Sequence, residues 1–307
     1  MKFPTAAKII EVGPRDGFQM EREFIPTETK IELVNALAAC GFPRMEVTSF
    51  ISPGAIPQMR DAAQVVAGVD RTTGVRVAAL VPNPKGAEKA AAAGVDEMVT
   101  FVSASESHNR RNVNRAIEES LVGFETVVRI AREAHVAVAT GIAVAFGCPF
   151  EGDVPAERLA GIVGRLLDLG VHAFTLGDTT GMATPPIVQR TCEHLLSRFS
   201  GLELSLHFHN TRGIGLVNVF AALQLGLNTF ESSVGGLGGC PFAPGASGNV
   251  CTEDMVHLLH ELGIETGVDL GRLIDVSKRV EQVIGRPLPG QIMKAGTRRT
   301  LSSPACR

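Results

Sequence analysis

Apolar strand-like runs alternate with helix-period segments eight times along this chain. That pattern points to an α/β fold, a (β/α)8 TIM barrel whose parallel strands are joined by crossover helices. The runs are Lys8–Val12, Met45–Ser49, Val75–Leu80, Glu97–Phe101, Val136–Val144, Ala173–Leu176, Leu204–His207 and Thr229–Ser233. Several are apolar almost throughout, as in Val75-Arg76-Val77-Ala78-Ala79-Leu80, because parallel strands are covered on both faces. Helix-start signals fall between them: Thr27 before Glu28, Asn114 ahead of Ile117-Glu118-Glu119, Asp153 before Pro155, and Thr184 before Pro185-Pro186. The segment near 27–40 sets Ile31, Val34, Leu37 and Ala38 on one face, which is expected to lie on the barrel wall. The alternation stops near residue 285. The expected organisation is therefore a catalytic barrel over 1–285 and a tail over 286–307, mobile or partly covering the barrel.

At 307 residues the chain is long enough for one such barrel, which needs about 250. A net charge of −3 with scattered Lys and Arg gives no electrostatic case for nucleic acid or a membrane surface. No apolar run reaches the ~18 residues of a membrane span, and Met1-Lys2-Phe3-Pro4 lacks a secretory apolar region, so a cytoplasmic location is expected. Six cysteines without CxxC spacing read as reduced thiols.

In a barrel of this kind catalytic groups gather where strands end. His207-Phe208-His209 closes the seventh run, and residues two apart on a strand share a face, so both imidazoles can reach one metal ion. After the first run come Arg15, Asp16 and Gln19. Asp16 is a candidate ligand and Arg15 a fixed positive charge for a substrate oxygen, although the dipeptide also reads as a salt bridge at a turn. Glu46 sits inside an apolar run, where an unpaired carboxylate is costly, so it is expected to face the barrel mouth or bond a neighbour. Asp178 follows the sixth run as either an orienting group or a helix cap. The segment Gly235 to Asn249 holds six glycines in fifteen residues, an entropic cost that suits a moving lid better than an inert connector. Cys240 at its centre is a candidate proton donor or nucleophile. Asn249 offers a neutral amide oxygen. Two imidazoles, one carboxylate and one amide leave open positions on a six-coordinate ion, favouring Mg²⁺ or Mn²⁺ without excluding Zn²⁺, Co²⁺ or Fe²⁺.

The motifs Val12-Gly13-Pro14-Arg15-Asp16-Gly17, Glu46-Val47-Thr48-Ser49-Phe50, His207-Phe208-His209 and Gly238-Gly239-Cys240-Pro241-Phe242-Ala243-Pro244-Gly245-Ala246-Ser247-Gly248-Asn249 resemble those of the hydroxymethylglutaryl-coenzyme A lyases. These enzymes belong to a metal-dependent barrel superfamily that also contains condensing synthases, which lack the cysteine loop. The resemblance implies that Asp16, His207, His209 and Asn249 bind a divalent cation. It implies catalytic roles for Arg15, His207, Cys240 and Glu253, with Glu46 supporting the metal. The implied reaction is retro-Claisen cleavage of a short branched 3-hydroxyacyl-coenzyme A to acetyl-coenzyme A and a keto acid. A homo-oligomer, dimer or tetramer, is expected. The chain departs from the family's usual sequences at Asn210-Thr211-Arg212-Gly213 and Gln19-Met20-Glu21. Arg212 is therefore expected to clamp a substrate carboxylate or phosphate and to shift preference toward citramalyl- or methylmalyl-type thioesters. A condensing synthase and a catalytically silent metal- or coenzyme-A-binding protein are the rival readings.

Overall fold

The computed structural model describes residues 3–239 and 248–300; Cys240 and the last seven residues lie outside them. Eight parallel strands close into a barrel in sequence order. They are β1 (Lys8–Glu11), β2 (Arg44–Ser49), β3 (Arg76–Leu80), β4 (Glu97–Ser103), β5 (Ala137–Ala143), β6 (Ala173–Asp178), β7 (Glu203–Phe208) and β8 (Thr229–Ser232). β1 pairs with β8 from Lys8 opposite Thr229 to Glu11 opposite Ser232, which leaves no free sheet edge. The helices are α1 (Thr27–Ala38), α2 (Ala62–Ala67), α3 (Pro84–Ala93), α4 (Glu106–Val113), α5 (Ile117–Glu133), α6 (Ala156–Asp168), α7 (Pro185–Arg198), α8 (Gly215–Gln224), α9 (Thr252–Glu261), α10 (Leu270–Ile284) and α11 (Ile292–Ala295).

Strand alternation builds the core and the site together. On β7, Leu204, Leu206 and Phe208 are buried, and Phe208 packs its ring 5.6 Å from that of Phe146. Burial of each such side chain contributes about 1.5–3 kcal/mol. The alternate positions Ser205 and His207 therefore share the other face. On α1, Leu33, Val34, Leu37 and Ala38 are buried as the stripe requires, while Ile31 is half-buried.

Helix starts differ from the sequence reading. Thr27 lies inside α1, with Pro26 at its N-cap, and α6 is preceded by Pro155 rather than capped by Asp153. Asn114 ends α4 with φ 54°, a left-handed conformation that Asn tolerates better than most residues. α5 instead begins where the Glu119 carboxylate accepts the Ala116 N–H at 2.7 Å. Thr184 precedes α7 without a capping bond from its side chain.

Beyond α10 the chain returns to the C-terminal end of the barrel. Leu288 and Met293 are buried, the N–H of Gly290 donates to the Gly235 carbonyl at 3.3 Å, and Asp254 accepts from the N–H groups of Gln291 and Ile292 at 3.0 and 2.8 Å. Among the described residues no helix is long and apolar enough to cross a membrane.

Candidate active site

Four strands, β1, β2, β7 and β8, and one returning loop build the site. After β1 the chain makes a tight turn over Gly13–Gly17, where the N–H of Gly13 donates to Glu11 Oε1 at 2.7 Å. That turn delivers Arg15 and Asp16 to the barrel mouth. Arg15 is held by β2: its Nε and Nη2 donate to Glu46 Oε1 and Oε2 at 2.7 and 3.2 Å, and its Nη1 donates to Asp16 Oδ1 at 2.6 Å. Burial disfavours the guanidinium charge, but Glu46 and Asp16 outweigh it and keep Arg15 protonated. Burial likewise works against the Asp16 carboxylate, and Arg15 with His207 outweighs it and holds Asp16 below the usual range.

Asp16 is a hub. Its Oδ1 also accepts from Gln19 Nε2 at 3.0 Å, and its Oδ2 accepts from Asn249 Nδ2 at 2.7 Å. Asn249 reaches this position because the segment after the glycine-rich loop runs back along β7, where Asn249 bridges His209 and the Val250 N–H donates to the Phe208 carbonyl at 3.0 Å. Backbone approach is close here. Gly238 has φ 104°, and a Cβ at that position would stand 2.6 Å from Asn249 Nδ2 and 3.1 Å from Asp16 Oδ2.

The two histidine rings lie 5.2 Å apart. His207 is the register partner of Glu231 on β8, and its Nδ1 lies 3.1 Å from Glu231 Oε2, whose other oxygen accepts from Thr175 Oγ1 at 2.8 Å. Burial lowers the basicity of His207, yet the bond to Glu231 more than offsets it and raises the pKa. Burial and the neighbouring His207 push His209 down to about 3, so it is a neutral imidazole.

Asp16, His207 and His209 place ligand atoms within 4.8 Å of one another. Two further observations fit a cation. His209 Nδ1 and Asn249 Oδ1 are buried without a hydrogen-bond partner, and the two Nδ2 bonds of Asn249 to Asp16 and Leu237 leave its carbonyl oxygen as the unspent acceptor. A neutral imidazole, an ionised carboxylate and an amide oxygen are ligand forms ready for a divalent ion.

Asp16, His207 and His209 line a cavity of about 650 Å³ that also includes Arg15, Gln19, Glu46, Thr175, Glu231 and Gly239; Asn249 lies buried behind them. The cavity wall also takes in the apolar side chains of Ile51, Leu80, Phe101, Val113 and Phe124, with Arg115 among them. Besides Asn249, three expected residues stand outside its lining. Asp178 is buried and accepts from the Ala183 N–H at 2.8 Å; it orders the turn after β6 and caps no helix, and burial pushes it up to about 7. Glu253, at the start of α9, accepts from the Gly235 N–H at 3.1 Å, at the root of the glycine-rich segment. Arg212 donates from Nη1 to the carbonyls of Thr180 and Gly181 at 2.8 and 2.7 Å. Among the described residues it does not line the cavity, and the two carbonyls give Nη1 an alternative to the expected substrate clamp. Cys240 is outside the described residues.

The sequence reading missed Glu231 and Glu11. Both are charges inside apolar strand runs, the signal that singled out Glu46. Glu11 is buried and takes N–H groups from Gly13 and Val234 at 2.7 and 2.9 Å and the Thr252 hydroxyl at 2.6 Å; burial pushes it up to about 7.

A family model described as HMGL-like matches residues 6–280. The chain is 45% identical to hydroxymethylglutaryl-CoA lyase YngG of Bacillus subtilis (strain 168), over 95% of this chain and 97% of that protein. Its structure is similar to that of an HMG-CoA lyase from Acinetobacter baumannii in complex with coenzyme A and 3-methylmalate, with a TM-score of 0.94, 44% identity and 99% of both chains covered. It also resembles the carboxyl transferase domain of Rhizobium etli pyruvate carboxylase with a TM-score of 0.71 over 91% of this chain and 47% of that one. At 16% identity that likeness concerns the fold alone.

Proposed function

The chain belongs to the HMGL-like family, and from that premise we propose that it is a metal-dependent carbon–carbon lyase cleaving 3-hydroxy-3-methylglutaryl-coenzyme A to acetyl-coenzyme A and acetoacetate. The observation that carries this reading is the convergence of Asp16, His207, His209 and the orphaned Asn249 oxygen beside an ion-paired Arg15. The catalytic barrel is assigned to residues 1–285 and a C-terminal tail to residues 286–307, of which Leu288, Gly290 and Met293 pack at the C-terminal end of the barrel.

Asp16, His207, His209 and Asn249 would hold Mg²⁺ or Mn²⁺. When bound, such a cation polarises the hydroxyl and carbonyl oxygens of the substrate. Glu231 occupies Nδ1 of His207, so ligation and proton transfer compete for the one remaining ring nitrogen. We assign that nitrogen to the cation. Asp16, kept ionised by Arg15, then accepts the hydroxyl proton. The bond between C2 and C3 breaks, its electron pair passes to the thioester as an enolate, and C3 becomes the ketone of the keto acid. Arg15 uses three of its N–H groups on Glu46 and Asp16, and its remaining donors steady the enolate oxygen. Cys240 returns a proton to C2, completing acetyl-coenzyme A. Gln19 and Glu46 hold Asp16 and Arg15 in place, and Glu253 acts as a positioning residue at the loop root. Asp178 orders the neighbouring turn.

A cytoplasmic homo-oligomer completes this reading. With Arg212 engaged by backbone carbonyls, none of the described residues of the cavity wall favours a citramalyl- or methylmalyl-type substrate over the branched glutaryl one. The test is to incubate the purified protein with 3-hydroxy-3-methylglutaryl-, citramalyl- and methylmalyl-coenzyme A and measure acetyl-coenzyme A release before chelation, after it, and after Mg²⁺ or Mn²⁺ is restored. The first thioester should be cleaved fastest, and only with metal present. Undiminished turnover in metal-free protein, or preference for another thioester, overturns the reading.

A further inference from the structure

The opposite mouth of the barrel, where strands begin, gathers like charges. Arg44 opens β2, Arg76 opens β3, and the two are register partners; like charges placed directly opposite on adjacent strands repel. One carboxylate answers both, Glu97 of β4, with Oε1 3.0 Å from Arg44 Nη2 and Oε2 3.1 Å from Arg76 Nε. Lys8 and Arg132 add two more cations to the same hollow, and Glu203 adds the second acid facing it, beside His172. Four cations against two carboxylates leave a local excess of positive charge in a chain whose net charge is −3.

The Arg44 side chain is only 13% exposed, yet its Nε and Nη2 have no hydrogen-bond acceptor; its approach to Glu97 is an ion pair without hydrogen-bond geometry. Nearly buried guanidinium donors left unmatched are costly, which leaves Arg44 poorly satisfied by Glu97 alone, and a guanidinium on the wall of a hollow is the natural complement of a planar oxyanion. The hollow measures about 910 Å³, and its wall includes the half-buried Val136, Val138 and Leu202. It shares no lining residue with the cavity at the other end.

We propose that this hollow is a second binding site, taking a small organic anion whose carboxylate or phosphate is held by Arg44, Arg132 and Lys8 while its aliphatic body lies on Val136, Val138 and Leu202. The probe is hexyl phosphate, titrated calorimetrically into the metal-loaded full chain, with hexanoate, inorganic phosphate and hexanol in parallel. One saturable site is expected, at least tenfold tighter for hexyl phosphate than for inorganic phosphate, and none for hexanol; hexanoate against hexyl phosphate decides which oxyanion the site prefers. Arg44→Gln and Arg132→Ala should each weaken binding about tenfold or more. Arg132 is exposed, so its variant carries the test if Arg44→Gln does not fold. His209→Ala, at the other mouth, should leave hexyl phosphate binding unchanged. Absence of saturation, insensitivity to Arg132→Ala, or loss of binding in His209→Ala overturns the proposal.

Discussion

Arg212 shows how a side chain's partners decide what its charge can do. Read in sequence it is an extra cation beside the metal histidines; folded, it latches the turn after β6 to the turn after β7 through two carbonyl oxygens. Arg212→Tyr should therefore change the ratio of cleavage rates between hydroxymethylglutaryl- and citramalyl-coenzyme A by less than about twofold, while lowering stability by about 1 kcal/mol, the usual worth of lost hydrogen bonds at a partly exposed site. Competition assays with the two thioesters and a denaturant titration check both halves, and a large shift in the ratio would restore the clamp. Cys240 carries the opposite expectation. If its thiol protonates the enolate, Cys240→Ser should keep metal and substrate binding nearly normal while turnover falls roughly 10²-fold or more, the scale of a lost acid–base group. Equal turnover in the two proteins would remove the thiol from the chemistry.

At the scale of elements, the glycine-rich segment after β8 matters through its backbone. Gly238 permits both a left-handed φ and the contact that lets Asn249 bond Asp16, so Gly238→Ala should push Asn249 off the carboxylate and weaken Mn²⁺ binding about tenfold or more. Calorimetric titration with Mn²⁺ reads this directly, and unchanged affinity would mean that the loop yields without cost. The eight strands were legible because burial on both faces writes an apolar run at each one, and the histidine pair because a period of two is visible in His207 and His209 themselves. Helix starts were less legible. Thr27 and Asp153 are capping residues by type, but Pro26 and Pro155 follow them or precede them closely enough to set the boundary through a fixed φ. The Asn114 side chain suited a left-handed helix end as well as a helix start.

Closure of the barrel explains what a linear reading could not supply. Glu11 and Glu231 are visible only as charges in strands, because their partners come from distant segments: Val234 and Thr252 for Glu11, Thr175 and His207 for Glu231. Glu11 thereby ties the turn carrying Arg15 and Asp16 to the start of the glycine-rich segment, and burial raises it from the ordinary 4.5 to about 7. The native state then holds a proton that the unfolded chain releases between those values, so this group's contribution to stability is complete below about pH 4.5 and is lost as pH rises through about 7. The loss is on the order of 3 kcal/mol, from about 1.4 kcal/mol for each pH unit of the window. Glu11→Gln keeps an acceptor for Gly13 and Val234 but cannot ionise. Stability of the wild type relative to this variant should accordingly fall between pH 4.5 and 7 and level off above it, while the carboxylates common to both proteins cancel in the difference. Urea titrations of both proteins at matched metal concentration across that range would show the slope; a difference that is flat, or that rises with pH, would mean that Glu11 is already ionised in the native barrel.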